Sequence, residues 1–224
     1  EAVQWAQLSS SFLLPFCGVY VMTEPAPRLG LVSPWMQNGN LTQYLKKNLK
    51  QIGYLWFMSN IACGIDYLHT FNPPVIHGDL KGLNVLITDD HRACVADFGL
   101  CFLAQNSAFQ ITMTSSSNDR GSLFWMAPEL INDDEECVCK TWSTDVYAFG
   151  CVQIFNGQPP FFDLPRSKAR IAIKKSQDPP RPSHPDLDDT LWTLIQKCLS
   201  RDPESYPNMS EVAQQLSSRS RKNL

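Results

Sequence analysis

The chain has 224 residues, of which 43% are hydrophobic and 18% are charged, and its formal net charge is −3. This composition excludes a disordered chain, and the slightly acidic balance lacks the clustered basic excess that binding to nucleic acid requires. No uninterrupted apolar run reaches about 18 residues, so we expect no membrane span. The length accommodates one large domain or two small ones.

The eight cysteines predict reduced thiols in a cytoplasmic, intracellular protein. Most of them lie singly within apolar runs, which is typical of buried free thiols. Only Cys137 and Cys139 are close in sequence, and neither a second pair nor a nearby histidine completes a zinc site.

The first half of the chain predicts short strands followed by helices. Residues 14–21 and 29–32 are predicted strands around a loop that contains Pro25 and Pro27. Asn40 is the predicted N-cap of a helix through Leu45. Apolar residues from Ile52 to Leu68 recur every three or four positions and predict a longer helix.

The second half predicts short strands and then mostly helices. The apolar runs 75–76, 85–87 and 93–96 are predicted strands, and the Ser/Thr-rich stretch 104–120 is a predicted mobile loop. Helices are expected from Thr144 onward, with proline-rich breaks at 159–165 and 179–185. The pattern therefore predicts a mainly helical lobe and a smaller β-containing one.

Residues 77–84 carry the chemistry, together with Asp97, which follows Asn84 by 13 positions. Asp79, Asn84 and Asp97 offer the hard oxygen ligands that Mg²⁺ prefers. Lys81 supplies a compact positive charge that suits a phosphate. Metal, positive charge and one carboxylate that orients a hydroxyl are the parts that phosphoryl transfer needs.

The same residues resemble known kinase motifs. Residues 77–84 are similar to the protein-kinase catalytic loop H-x-D-x-K-x-x-N, and residues 97–99 are similar to its D-F-G motif. Residues 126–129 resemble the A-P-E element, 145–150 the start of helix F, and 201–203 the stretch before the last helix. Through this ordered set over residues 1–216, the chain is identified as a member of the protein kinase superfamily. It most resembles the tyrosine-kinase-like group of Ser/Thr kinases, and within that group the fungal type.

The resemblance implies an α+β, protein-kinase-like fold with a mainly helical C-lobe and a partial β-containing N-lobe. Residues 1–36 would form the partial N-lobe (the end of helix C, strands 4 and 5 and the hinge), residues 37–216 the C-lobe, and residues 217–224 a basic tail. It also implies ATP and Mg²⁺ as cofactors and Ser/Thr hydroxyls of a protein substrate as acceptors. The oligomeric state does not follow from the sequence.

Roles follow by resemblance for each matching residue. Asp79 would accept or orient the substrate hydroxyl, and Lys81 would neutralise the γ-phosphate. Asn84 and Asp97 would hold Mg²⁺, and Ser122 matches the Ser/Thr of the substrate-docking loop. The motif residues with structural roles are His77, Phe98, Glu129 and Asp145.

Residues 31–36 resemble the hinge that binds adenine. Ser33 would be a small gatekeeper, Pro34 would offer its carbonyl, and Met36 would offer both N–H and C=O. Leu86 is assigned to the same nucleotide-binding set. The alternative is an ordinary strand-to-helix connection, but the position of the segment before the other motifs favours a hinge.

Glu1 aligns with the glutamate of the family's Lys–Glu ion pair, although a frayed chain end is the alternative. The Gly-rich loop and the strand-3 lysine, in roughly fifty residues of N-lobe, would then precede residue 1. We expect the partial N-lobe to leave an unpaired sheet edge and exposed apolar surface.

Three further departures from the family bear on activity. Gly78 replaces an Arg that pairs with a phosphorylated activation loop. Tyr206 replaces the Arg partner of Glu129, so we expect one hydrogen bond in place of an ion pair and a loosened region. Helix F is about two residues short before Gly157, which places Asn156 at an apolar position.

Two functional hypotheses follow. The first is a Ser/Thr protein kinase whose activity is impaired in this chain. It is favoured by the presence of all four residues of the catalytic and metal-binding set: Asp79, Lys81, Asn84 and Asp97. The second is a pseudokinase or signalling scaffold that keeps the fold for binding, and the departures from the family favour that one.

Overall fold

The computed structural model describes residues 2–48, 53–99, 102–103, 122–131, 140–152, 157–175, 177, 179–200 and 202–220. The helices in these ranges are α1 Ala2–Trp5, α2 Leu41–Asn48, α3 Tyr54–Thr70, α4 Trp142–Cys151, α5 Arg166–Lys174, α6 Asp189–Cys198 and α7 Met209–Ser220. The strands are β1 Gly18–Met22, β2 Arg28–Val32, β3 Val75–Ile76, β4 Val85–Ile87, β5 Ala93–Val95 and β6 Phe102–Leu103. Small sheets ahead of a mainly helical part confirm the predicted α+β class.

The start of α2 is set by a reciprocal cap. The Asn40 Oδ1 atom accepts from the Gln43 N–H at 2.9 Å, and the Gln43 Oε1 atom accepts from the Asn40 N–H at 3.4 Å. Each bond satisfies a donor that the first helical turn leaves without a partner. The predicted N-cap is therefore confirmed.

Helix α3 forms the centre of the core and packs against α7 and β5. Ile61, Ile65 and Leu68 are fully buried on the face that their spacing predicted. Gly64 brings the N-terminal segment close to this helix, because a Cβ atom there would lie 3.0 Å from both the Phe12 carbonyl oxygen and a Val95 methyl. The predicted helix is confirmed, and its proposed first residue, Ile52, lies outside the described residues.

Strands β1 and β2 form an antiparallel hairpin with Tyr20 opposite Gly30. Most of its side chains are exposed, so the predicted exposed apolar surface is confirmed. The predicted start of the first strand at residue 14 is wrong. The Leu14 N–H donates to the Val95 carbonyl at 2.8 Å, so the chain at this point joins the edge of β5 instead of β2.

Two further two-stranded antiparallel sheets frame the loop that carries the chemistry. Strand β3 pairs antiparallel with β6, and β4 pairs antiparallel with β5. Residues 77–81 connect β3 to a 3₁₀ turn, Gly82–Asn84, that leads directly into β4. Both ends of the loop are thereby held by backbone ladders.

Helix α4 begins at Trp142, two residues before the predicted start. Thr141 caps it, because its side chain accepts from the Thr144 N–H and the Thr144 hydroxyl accepts from the Thr141 N–H. Residues 153–156, with the proposed shortening and Asn156, lie outside the described residues.

Helices α6 and α7 are joined through Asp188. This side chain caps α6 by accepting from the Leu191 N–H at 2.8 Å, and it also pairs with Arg219 on α7. Helix α7 continues to Ser220, so residues 217–220 of the predicted tail are helical. None of the described helices combines the length and apolar character needed to cross a membrane.

Candidate active site

The Asp79 carboxylate is the centre of the site. Its Oδ2 atom accepts from the Lys81 ammonium at 2.5 Å, and its Oδ1 atom accepts from the Ser122 hydroxyl at 2.8 Å. The Lys81 ammonium also donates to the Ser122 oxygen at 3.1 Å. The structure brings these three residues together, although Ser122 lies 43 positions after Asp79.

This arrangement can orient a hydroxyl group and hold a phosphate. The carboxylate already accepts one hydroxyl, that of Ser122, and a substrate hydroxyl would make the same kind of bond. Lys81 places a positive charge directly beside that carboxylate. A carboxylate next to a lysine ammonium has the chemistry that both functions need, and the roles of Asp79 and Lys81 stay predictions.

Asn84 is oriented by Asp79. Its Nδ2 atom donates to the Asp79 carbonyl and to Oδ2, both at 2.9 Å. Both of these hydrogen bonds come from the Asn84 amide nitrogen, and no described residue donates to the Asn84 Oδ1 atom. The Ala96 N–H donates to the Asn84 carbonyl at 2.8 Å, which places Asp97 immediately beside this residue.

Asp97 is exposed and has a φ of 67°, in the left-handed region that is unusual for residues other than glycine. Such backbone strain is maintained only where the surrounding structure holds it. The chemistry of this donor set, one exposed carboxylate and one amide oxygen on segments joined by the Ala96–Asn84 backbone bond, fits a hard divalent cation such as Mg²⁺.

Phe98 is fully buried within a column of rings. Its ring centroid lies 5.4 Å from that of Trp5 and 6.0 Å from that of His77. Trp5 in turn lies 5.2 Å from Phe16 and donates from Nε1 to the Leu14 carbonyl at 2.7 Å. The column ties α1 to the residue that follows Asp97.

The sequence predicted structural roles for Phe98 and His77 but missed Trp5 and Phe16. Trp5 lies four positions after Glu1, and residues four apart share one face of a helix. That spacing is the signal that could have identified it. Glu1 itself lies outside the described residues, as do Cys137, Cys139 and the stretch 104–120.

Asp145 holds the start of the loop. Its carboxylate accepts from the backbone N–H groups of His77 and Gly78, both at 2.8 Å, and contacts His69 Nε2 at 3.0 Å. Burial alone would raise the pKa of Asp145, but the hydrogen bond and charge of His69, the charge of His77 and the Gly78 N–H hold that pKa below its ordinary value. The carboxylate therefore stays ionised in the core.

His69 was missed by the sequence reasoning. It follows Ile65 by four positions on α3, and this placement on the buried face is the signal that could have identified it. Gly78 has a φ of 74°, which glycine adopts without strain, so a glycine suits the backbone at the position where the family has Arg.

Glu129 has the partner that the sequence predicted. The Tyr206 hydroxyl donates to Glu129 Oε2 at 3.3 Å, while Oε1 is buried without a hydrogen bond from any described residue. Burial raises the pKa of Glu129, against smaller opposing effects of its backbone and of the Tyr206 hydroxyl. The Tyr206 ring packs beside Tyr147, with centroids 6.3 Å apart. The predicted loosening of this region stays a prediction.

The proposed hinge leads from β2 to α2. Ser33 and Met36 are half-buried and Pro34 is exposed. The Met36 carbonyl accepts from the Gly39 N–H at 3.0 Å, whereas no described residue accepts from the Met36 N–H. The Ile87 N–H donates to the Gly39 carbonyl at 2.9 Å, and this bond brings the end of the segment against β4, which contains Leu86. The proposed hinge, residues 31–36, and the strand that contains Leu86 therefore belong to neighbouring segments, whereas Glu1 of the same predicted set lies outside the described residues.

Comparisons with known proteins place this sequence in a family. The sequence pattern of the family described as "Protein tyrosine and serine/threonine kinase" matches residues 1–216. Serine/threonine/tyrosine-protein kinase HT1 of Arabidopsis thaliana is 32% identical over 189 residues, which cover 81% of this chain and 45% of that protein.

Two further relatives are similar over shorter parts of their own length. Cell division control protein 7 of Schizosaccharomyces pombe is 30% identical over 78% of this chain and 15% of that protein. Serine/threonine-protein kinase CTR1 of Arabidopsis thaliana is 29% identical over 85% of this chain and 23% of that protein. The chain spans less than half of the length of each relative. It belongs to the protein tyrosine and serine/threonine kinase family, as a protein kinase domain similar to Ser/Thr kinases of the tyrosine-kinase-like group.

Proposed function

We propose that this domain transfers the γ-phosphoryl group of ATP to Ser and Thr hydroxyls of a protein substrate. The observation that carries the proposal is the Asp79 carboxylate, which is bonded at once to the Lys81 ammonium and to the Ser122 hydroxyl. Asp79 orients the attacking hydroxyl and accepts its proton, while the bond between the γ-phosphorus and the bridging oxygen of ADP breaks. Lys81 neutralises charge on the transferred group.

The family uses ATP and a divalent metal ion in general. In this chain the Asn84 Oδ1 atom and the Asp97 carboxylate would hold Mg²⁺, because both are hard oxygen ligands and the Ala96 N–H, one residue before Asp97, bonds to the Asn84 carbonyl. The ion supplies positive charge that offsets the phosphate oxygens when it is bound. We assign the adenine contacts to Ser33, Pro34, Met36 and Leu86, and the nucleotide-binding glutamate to Glu1.

We also propose the lobe division at residue 36 and a cytoplasmic location. The thiols of Cys94 and Cys198 are free and buried. Burial raises the pKa of Cys94 to about 11 and that of Cys198 to about 12, so both stay protonated and unreactive. The support for a reducing compartment is that all five cysteines among the described residues are free thiols, including the exposed Cys17.

The first test is calorimetric titration of the folded protein with Mg-ATP. We expect saturable binding that is lost in Asp97→Asn and retained in Asp163→Asn, a matched change at an exposed aspartate outside the site. A folded protein without Mg-ATP binding would contradict the proposed nucleotide and metal roles.

The second test is transfer of labelled phosphate to a mixed Ser/Thr protein substrate. Asp79→Asn should keep Mg-ATP binding and lower the rate about 10²–10⁴-fold, which is the usual contribution of a positioned acid–base group. Equal rates in the wild type and Asp79→Asn would contradict the role of Asp79.

A scaffold function is the second candidate. It is favoured by Glu129, whose Oε2 atom accepts a contact of 3.3 Å from Tyr206 while Oε1 accepts no hydrogen bond from any described residue. This contact is weaker than the ion pair of the family and is expected to impair turnover. Partner binding that persists in Asp79→Ala, in a protein without detectable transfer, would support the scaffold over the kinase.

A further inference from the structure

A groove of about 290 Å³ lies next to the Asp79, Lys81 and Ser122 cluster. It is bounded by α2, the turn Gly82–Asn84, the turn Leu123–Trp125, the end of α4 and residues 157–162. This volume is near the lower end of the range for pockets that bind small ligands. It therefore suits one or two side chains better than a whole cofactor.

The groove is continuous with the catalytic cluster through the backbone. Gly82 and Leu83 line it and directly follow Lys81. Phe124 and Trp125 line it from the other side and follow Ser122 by two and three positions. The two segments that bring Lys81 and Ser122 to Asp79 thus continue as the lining of the groove.

None of the described side chains that line the groove is charged at neutral pH, and most are apolar. Two of them are open to solvent, because Leu83 is 49% exposed and Phe162 is 44% exposed. The guanidinium of Arg166 lies 6.0 Å from the Phe124 ring centroid and adds positive charge near this side of the groove. Apolar surface of this kind next to a reaction centre favours an apolar occupant.

We propose that the groove binds a large apolar side chain of the protein substrate, such as Leu, Phe or Met, and thereby selects the phosphorylation site. This inference rests on the proposed kinase function. Leu83 follows Lys81 by two positions, so their Cα atoms are at most about 7 Å apart, and an extended peptide covers that span in about two residues. The selected side chain therefore lies within two or three positions of the acceptor.

A charged side chain at the same place would be disfavoured. An Arg or a Glu would lose water against apolar walls that offer no opposite charge among the described lining residues. Arg166 would further oppose a basic side chain. The groove thus predicts a kinase that selects an apolar residue at this position, with a basic residue disfavoured most because of Arg166.

The test is a set of single-Ser peptides in which each position near the acceptor is varied through Leu, Phe, Ala, Arg and Glu. With Mg-ATP, we expect at least about tenfold faster transfer to Leu or Phe peptides than to Arg or Glu peptides at one such position. Leu83→Glu should reverse this order in favour of Arg. Ile171→Glu, which replaces an apolar residue that is 53% exposed outside the groove, should leave it unchanged.

The outcomes separate this inference from the proposed function. Transfer without an apolar preference, or a preference that survives Leu83→Glu, would overturn the inference and leave the kinase function intact. If no peptide is phosphorylated, the proposed function fails. Fluorescence anisotropy of labelled Leu and Ala peptides then measures whether the groove binds an apolar side chain. Tighter binding of the Leu peptide that is lost in Leu83→Glu and kept in Ile171→Glu supports the groove, and equal binding by both variants overturns it.

Discussion

Replacement of Asp145 by alanine tests how the catalytic loop is anchored. Asp145 is 1% exposed and accepts two backbone hydrogen bonds of 2.8 Å from His77 and Gly78, besides its contact with His69. Asp145→Ala leaves these donors without an acceptor in the core. Removal of one partner from a buried charged pair costs about 3–5 kcal/mol. This is a large fraction of the roughly 5–15 kcal/mol that stabilises a typical protein.

The free energy of unfolding is measured by urea denaturation at pH 7, followed by tryptophan fluorescence. Asp163→Ala, at an exposed aspartate, is the matched control and should change that free energy by less than about 0.5 kcal/mol. A loss below about 1 kcal/mol in Asp145→Ala would show that the buried hydrogen bonds do not anchor the loop.

Acid titration of the same proteins adds an independent test. The pKa of Asp145 lies below its ordinary value of 3.8 in the folded protein, so its contribution is present above about pH 4 and is lost as the pH falls through the folded pKa. Wild type should therefore lose this part of its stability below about pH 4. In Asp145→Ala the corresponding acid-dependent loss should be absent, and an unchanged profile would contradict the ionised state of the carboxylate.

Three further changes test the packing and charge of the core. Gly150→Ala should cost about 1–3 kcal/mol in urea denaturation, because the new methyl would lie 2.9 Å from a methyl of Leu199 and 3.0 Å from the Cβ atom of Cys198; unchanged stability would show that α6 can shift. Burial raises the pKa of Glu129, so its stabilising protonated form is lost as the pH rises through the folded pKa. Glu129→Gln should thus raise the free energy of unfolding by up to about 1 kcal/mol at pH 8 and leave it unchanged below about pH 4.5. An equal change at the two pH values would contradict the raised pKa of Glu129. Asp188→Ala removes the cap of α6 and should cost about 1–2 kcal/mol in the same assay, whereas no loss would show that the cap is dispensable.

Local rules predicted much of the fold. The Asn40 cap, the buried face of α3 and the short strands β3, β4 and β5 agree with the structure because each depends on residues a few positions apart. The predicted start of the first strand at residue 14 was too early, because that position is determined by a contact between distant segments. Its apolar residues satisfy a strand pattern, but the Leu14 N–H finds its acceptor in β5, which is far along the chain.

The candidate site shows the same division. The sequence by itself determined the chemistry, because Asp79, Lys81 and Asn84 lie within six residues and their ligand types suit a phosphate and a metal ion. Only the tertiary structure decided that His69 supports Asp145 across 76 positions. It also placed Trp5 on Phe98 and formed the apolar groove beside Ser122. Spacing along a chain constrains neighbours, whereas contacts between distant segments are set by the packing of the whole core, which no local pattern encodes.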